Sequence, residues 1–179
     1  MFKRVKQFLR ALTAKIDQAD EDFLSHYLTT TEQALFQQMT LPDRRHSLNV
    51  AYCAQQLMKP MMHSKQRLLV RSALLHDIGR AEKNLSTAMK VMAVLFSAAF
   101  PNFSRRWSET KGTKYIKYDL ANFRQVLFVY YHHGEMGACR LQKLGAEPEI
   151  IELVAKHHDL PAADDSPELV ILRQADQMN

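Results

Sequence analysis

Histidines and aspartates stand at the ends of apolar segments at five places in this sequence. His76 and Asp77 close the segment RSALLHD, where a buried charge requires a partner. Imidazole and carboxylate together form a ligand set suited to divalent first-row metal ions. Taken singly, such a residue is more often a structural histidine or a helix cap, but the five places together predict a metal site. The other four are His46 in RHSLNVAYCA, His132 and His133 in YYHHGEMGA, His157 and His158 in VAKHHD, and Asp176 in ILRQAD.

Helices are expected to position these residues, because apolar residues recur three and four apart and no run alternates as a strand does. The fold class is predicted to be all-α, a single-domain bundle of about eight or nine helices. An amphipathic stripe from Phe2 to Ile16 predicts a leading helix. A second helix is expected from about Asp20 to Leu28. Thr30 and Gln33 resemble a capping box that opens a third.

Start and stop signals place the helices that carry the site. Asp43 follows Pro42 and is expected to cap a helix with His46 in its first turn. Gly79 predicts that His76 and Asp77 lie at a buried C-terminal turn. Later helices are expected from Asp119 through YYHH, from Gly134 to Leu144 with Gly145 as the stop, and from Pro148 and Pro167.

The length of 179 residues and the 46% hydrophobic content predict one globular unit. Residues 1–42 are interpreted as a helical extension packed on the core, and residues 43–179 as the main domain. A basic and apolar segment at about residues 80–118 resembles an insertion over that domain and a candidate lid.

Composition and charge exclude several classes of protein. Two cysteines, Cys53 and Cys139, are too few for a disulfide scaffold and fit a reducing cytoplasm. The N-terminus lacks the apolar run and cleavage site of a signal peptide, and the apolar stretch 91–103 is shorter than the roughly 18 to 20 residues of a membrane-spanning helix. The net charge of +5 coincides with five basic residues in 1–16, a pattern more typical of a solvated helix face than of a binding surface.

The order His, His-Asp, His, His, Asp resembles the HD domain superfamily of metal-dependent phosphohydrolases. The resemblance covers about residues 43–179 and is carried by RHSLNVA, LLHDIGR, HHGEMGA, KHHD and QADQMN. The local contexts match as well as the order, because members of the superfamily often read H-S-x-x-V-A, A-L-L-H-D-I-G-K, H-x-x-x-G-A and H-H-[DE], and finish in A-D.

The resemblance implies a role for each residue at a matching position. The first of one or two divalent ions (Fe, Mn, Ni, Co, Mg or Zn, which the sequence does not distinguish) would be ligated by His46, His76, Asp77 and Asp176, with Asp77 bridging to the second. His133 and His157 would hold that second ion, joined by His158. His133 is preferred to His132 because three residues separate it from Gly137 and Ala138. His26 and His63 match no motif and are predicted to be surface residues.

The activity implied is hydrolysis of a phosphoester or phosphoanhydride bond, in a nucleotide or another small phosphorylated molecule, by metal-activated water. Asp77 would orient the water, and Arg80, which stands where many relatives have lysine, would bind phosphate. Lys83 and His132 are further candidates for substrate contact. The Gly-Tyr-Pro motif that would follow KHHD in cyclic di-GMP phosphodiesterases is absent from the sequence, which argues against that substrate.

Other functions stay open on the sequence. An HD-like chain can serve as a sensory module that holds a nucleotide or metal without turnover, and related helical proteins use similar ligands for di-iron oxygenation. No stable nucleic-acid complex and no transmembrane segment are expected. The apolar stripes 2–16 and 89–100 leave open a homodimer or a peripheral membrane contact, although such stripes usually cover the protein's own core.

Overall fold

The computed structural model describes residues 14–58, 63–81, 87–109 and 118–179, with the side chains of 63–64, 87 and 118–121 outside that description. The described residues form nine α-helices, one short 3-10 helix and no strand, which confirms the all-α prediction. The leading stripe lies largely outside the described residues, and Ile16 itself precedes the first helix in non-helical chain. The helices are α1 Gln18–Tyr27, α2 Thr30–Phe36, α3 Leu41–Leu57, α4 His63–Leu75, α5 Thr87–Ala99, α6 Pro101–Glu109, α7 Tyr118–Lys143, α8 Pro148–Lys156 and α9 Pro167–Met178, and the 3-10 helix is Ile78–Arg80.

The second predicted helix is confirmed as α1, but the capping box of α2 lies one residue earlier than the sequence predicts. Thr29 is the N-cap, and the carboxylate of Glu32 accepts from the Thr29 backbone N–H at 2.8 Å. The amide of Gln33 instead donates to the carbonyl of Leu28 at 3.0 Å. A glutamate at the third position satisfies the free N–H of the cap better than the glutamine that follows it.

Helix α3 also begins earlier than predicted, so His46 lies in its second turn rather than its first. Thr40, not Asp43, is the N-cap, and its hydroxyl donates to the Asp43 carboxylate at 2.7 Å. The threonine hydroxyl also accepts from the Asp43 backbone N–H, so the aspartate supports the cap from inside the first turn.

Helix α7 is continuous where two helices are predicted, because Gly134 does not end a helix. A Cβ atom at Gly134 would lie 2.9 Å from the carbonyl oxygen of Ala155, so this glycine permits close approach to α8. The stop at Gly145 is confirmed by its φ of 70°, a left-handed conformation that favours glycine. Pro148 and Pro167 begin α8 and α9 as predicted.

The chain divides into two compact units. The first contains the residues up to Ala81 and from Gly134 to the end, and the second comprises residues 82–133. In the first unit α4 is central and packs against α1, α2, α3, α8 and α9. The division into 1–42 and 43–179 stays a prediction. Among the described residues, no helix has both the length and the apolar character needed to cross a membrane.

A buried ion network fixes α4 among its neighbours. Arg71, 9% exposed, donates to Glu32 of α2 at 2.9 Å and to Glu147 at the start of α8 at 2.8 Å. Glu32 is itself only 3% exposed. A buried carboxylate depends on its cationic partner, because water cannot replace that partner inside the protein.

Replacing Arg71 by methionine is expected to lower the free energy of unfolding by about 3 kcal/mol, because Glu32 would keep a buried charge without its guanidinium. Urea denaturation followed by circular dichroism measures this loss. Arg67→Met is the matched control, since Arg67 is exposed on the same helix and its loss should cost less than about 0.5 kcal/mol. Equal losses in the two variants would contradict the network's role, whereas recovery in Arg71→Met/Glu32→Met would support it.

Candidate metal centre

Four elements of the first unit bring the predicted ligands together. Helix α3 supplies His46 from its second turn, and the chain leaving α4 supplies His76 and Asp77. Helix α8 ends immediately before His157, and α9 supplies Asp176 from its last turn. His76 and Asp77 are fully buried and His157 is 2% exposed, so this cluster lies within the protein interior.

The atoms of the predicted first site have the spacing of ligands that share one ion. His46 Nε2 lies 3.0 Å from Asp176 Oδ1 and 3.8 Å from Asp77 Oδ2. His76 Nε2 lies 3.6 Å from Asp77 Oδ2 and 3.7 Å from Asp176 Oδ1. Ligands about 2.1 Å from a common ion stand roughly 3.0 to 3.4 Å apart, depending on its geometry. These groups could therefore hold a metal ion with only small adjustments.

The two oxygens of Asp77 face different partners. Oδ2 lies towards His46 and His76, whereas Oδ1 lies 4.0 Å from His157 Nε2 and 3.1 Å from Arg80 Nε. Asp77, His157 and the exposed His158 also offer ligand atoms within 4.8 Å of one another. The ligand atoms of this second group lie farther apart than those of the first, but both groups include the carboxylate of Asp77.

The hydrogen bonds of the histidines decide which ring nitrogen points at the site. His76 Nδ1 donates to the carbonyl of Ala73 at 2.8 Å, and His157 Nδ1 donates to that of Val154 at 2.7 Å. A carbonyl oxygen only accepts, so Nδ1 carries the hydrogen and the neutral ring keeps the lone pair on Nε2. Orientation of a histidine ligand by a backbone carbonyl is common at metal sites.

The cluster stabilises positive charge at its centre. Burial lowers the pKa of His76, but the charges of Asp77 and Asp176 outweigh burial and raise that pKa to about 9. Burial likewise raises the pKa of Asp176, yet the hydrogen bonds and charges of His46 and His76 bring it well below its usual range. Two carboxylates that hold a proton so firmly form an environment equally suited to a divalent cation.

Two arginines hold the backbone around the ligands, and the sequence alone does not single them out. Arg173 of α9, 8% exposed, donates to the carbonyl of Lys156, the residue before His157, at 2.9 Å through Nη2. Arg140 of α7 donates at 3.1 Å to the carbonyl of Ile78, the first residue of the 3-10 helix, and at 3.2 Å to that of Ala81, which follows this helix. In the sequence both are ordinary basic residues of amphipathic helices.

Glycine allows α7 to pack closely beside the turn that carries Asp77. A Cβ atom at Gly137 would lie 3.3 Å from Gly79 N and 3.1 Å from Val154 Cγ1. Gly137 therefore serves close packing between α7, α8 and the 3-10 helix rather than chain reversal.

The remaining predicted residues have different surroundings. His133 is 1% exposed and its Nδ1 donates to the carbonyl of Tyr130 at 2.9 Å, but it is the last residue of the second unit and its membership of the site stays a prediction. His132 is half-buried and stacks on Phe128 with ring centroids 4.5 Å apart. Lys83 and the side chain of His63 lie outside the described residues. His26 is exposed, as predicted.

No family model, no curated protein and no solved structure matches this chain. The resemblance to the HD superfamily therefore stays a prediction that depends on the residue pattern.

The purified protein is expected to retain at least one divalent metal ion per chain, and His76→Gln is expected to lose it, because this substitution removes a buried ligand from the best-formed group. Elemental analysis of both proteins measures the difference. His26→Gln, at an exposed histidine outside the cluster, should keep the metal content of the parent protein. Equal metal content in the parent and His76→Gln proteins would contradict the assignment.

Metal affinity is expected to fall as the pH is lowered below about 9, because the raised pKa of His76 means that a metal ion must displace a proton from this ring. The apparent dissociation constant should increase about tenfold per pH unit for each proton displaced. Competition with a metal-binding dye across this range measures the slope. An affinity that is independent of pH would contradict the displacement of a proton from His76.

Proposed function

We propose that this chain is a metal-dependent phosphohydrolase of the HD type, acting on a nucleotide or another small phosphorylated molecule. The observation that supports the proposal best is the fully buried carboxylate of Asp77, with histidine nitrogens facing both of its oxygens. A buried carboxylate needs partners of this kind, and imidazole nitrogens near both of its oxygens suit a carboxylate that would bind two ions.

The proposed first ion is held by His46, His76, Asp77 and Asp176, and the spacing of 3.0 to 3.8 Å among their ligand atoms supports this set. A second ion would be held by Asp77 together with His157, His158 and His133. His133 shares with His76 and His157 the hydrogen bond from Nδ1 to the carbonyl three residues earlier. It also directly precedes Gly134, where α7 approaches the end of α8.

When bound, such ions would lower the pKa of water towards neutrality and neutralise charge on a phosphoryl group. The chain's own residues set the geometry. Asp77 is held from one side by the guanidinium of Arg80, whose Nε lies 3.1 Å from Oδ1 and restricts the orientation of the carboxylate. A mixture of nitrogen and oxygen ligands suits iron, manganese, cobalt, nickel and zinc better than it suits magnesium, which prefers oxygen ligands.

Arg80 is also proposed to contact the substrate. Its side chain is 27% exposed beside a fully buried aspartate, so it lies at the edge of the cluster that solvent reaches. A planar guanidinium can pair with phosphate oxygens in a bidentate manner, which the lysine of many relatives cannot do. His132 and Lys83 are proposed as further contacts to the substrate.

A reducing, cytoplasmic location is proposed on the free cysteines. Cys139 is exposed and Cys53 is half-buried, and neither forms a disulfide among the described residues. An exposed thiol of this kind is typical of a reducing compartment.

The substitution Asp77→Asn is expected to lower hydrolysis by at least about a hundredfold and to reduce the metal content together with it, because the amide loses the charge that both ions would share. A generic phosphodiester and a nucleotide panel, assayed beside elemental analysis, measure the two effects. Asp164→Asn is the control, since Asp164 is exposed and outside the cluster.

The same preparations separate the alternatives. Metal without hydrolysis of any phosphate ester would favour a sensory module, and substrate-dependent oxygen uptake by the iron-loaded protein would favour an oxygenase. Full activity of Asp77→Asn would contradict the proposed function outright.

A further inference from the structure

Helices α5 and α6 of the second unit bury small side chains and expose large apolar ones. Amphipathic helices normally do the opposite, because removing apolar surface from water is favourable by about 25 cal/mol per Å². Large apolar side chains on an exposed face are instead typical of helices that lie on a membrane surface or contact a partner. The buried residues are Ala93, Ser97, Ser104 and Ser108, and the exposed ones are Met92 (58%), Leu95 (52%), Phe100 (57%) and Phe103 (61%).

The buried serines of α6 are accommodated locally. Ser104 Oγ donates to the carbonyl of Pro101 at 3.0 Å and lies 2.6 Å from the hydroxyl of Tyr131. Ser108 Oγ donates to the carbonyl of Arg105 at 2.6 Å. These hydrogen bonds satisfy the buried hydroxyl groups of α6 within the second unit.

The exposed face continues into a connected aromatic surface, which we call the aromatic patch. Phe96 lies 5.5 Å from Phe100 and 6.1 Å from Phe103, measured between ring centroids. Trp107 lies 6.1 Å from Phe103 and 6.0 Å from Phe123. None of these five rings is buried. Phe100 and Phe103 are exposed and the other three rings are half-buried, and a contiguous, partly exposed aromatic surface of this kind is typical of an interaction site.

The charge around the aromatic patch is positive. Arg105 and Arg106 are exposed on α6 beside Phe103 and Trp107, and the one acidic residue of this helix, Glu109, lies 3.8 Å from Arg105 Nε. Residues 82–133 contain eight basic and three acidic residues, and this excess of five equals the net charge of the whole chain. The partner of this surface is therefore expected to be anionic as well as apolar.

We propose that the aromatic patch docks onto the surface of an anionic lipid bilayer. Phenylalanine, leucine and methionine side chains would enter the acyl boundary, Trp107 would lie at headgroup level, and Arg105 with Arg106 would contact lipid phosphates. The 13 and 9 residues of α5 and α6 are too few to span a bilayer, which takes about 20, so the helices lie in the interfacial plane. A second copy of this unit would bring like charges together, and a nucleic acid offers no acyl boundary for the apolar side chains.

Vesicle flotation with the full chain tests the proposal, using phosphatidylcholine alone and phosphatidylcholine with about one third phosphatidylglycerol. The protein should float only with the anionic vesicles and less so in high salt. Trp107 is the single tryptophan, so a blue shift of its emission on vesicle addition reports on the patch directly. Phe100→Ser/Phe103→Ser is expected to reduce vesicle binding by at least about tenfold, and Arg105→Glu/Arg106→Glu to remove its dependence on anionic lipid.

The matched control is Leu160→Ser/Val170→Ser, which removes two apolar residues that are 88% and 51% exposed in the first unit and should leave binding unchanged. Metal content and circular dichroism of the same preparations show whether each variant is folded, and both are measured without vesicles. Flotation that survives Phe100→Ser/Phe103→Ser, an unchanged Trp107 emission, or a concentration-dependent dimer abolished by this variant would each overturn the proposal.

Discussion

The buried carboxylate of Asp77 is the constraint on which the first unit depends. An ionised carboxylate without exposure to water is costly unless cationic or hydrogen-bonding groups surround it. Here His46, His76, His157 and Arg80 approach it from three elements and from its own turn. Because the groups must arrive together, the end of α4, the second turn of α3 and the end of α8 are fixed relative to one another. The raised pKa of His76 follows from the same requirement for positive charge.

Three buried or half-buried arginines join the elements around Asp77 to one another. Arg71 joins α4 to α2 and to the start of α8, while Arg173 joins α9 to the carbonyl immediately before His157. Arg140 holds both ends of the 3-10 helix that follows Asp77. A guanidinium can bind two backbone or carboxylate oxygens at once, so each of these residues replaces several weaker contacts and limits the movement of a ligand-bearing segment.

The second unit differs from the first in which side chains of its helices are buried and which are exposed. Among their described side chains, α5 and α6 bury only alanine and serine, Phe96 and Trp107 are half-buried, and Phe100 and Phe103 are exposed near the exposed Arg105 and Arg106. The large buried apolar side chains of this unit come from α7 (Val126, Leu127 and Val129), whereas Met92, Leu95, Phe100 and Phe103 of α5 and α6 remain exposed to water. The chain thus combines a buried, polar centre in one unit with an exposed, apolar and basic surface in the other.

The sequence by itself determined the all-α class, most helix positions and the residues that gather at the cluster, because period, caps and buried polar residues are local properties. The sequence-based prediction misplaced the caps of α2 and α3. It also divided α7 at Gly134, because a glycine that ends a helix cannot be distinguished from one that permits close packing until the neighbouring helix is known. Tertiary structure alone decided that His46 and Asp176 meet across 130 residues, and that Arg140 and Arg173 support the turns beside them. Such contacts depend on how the helices pack against one another, and a local sequence pattern does not determine that packing.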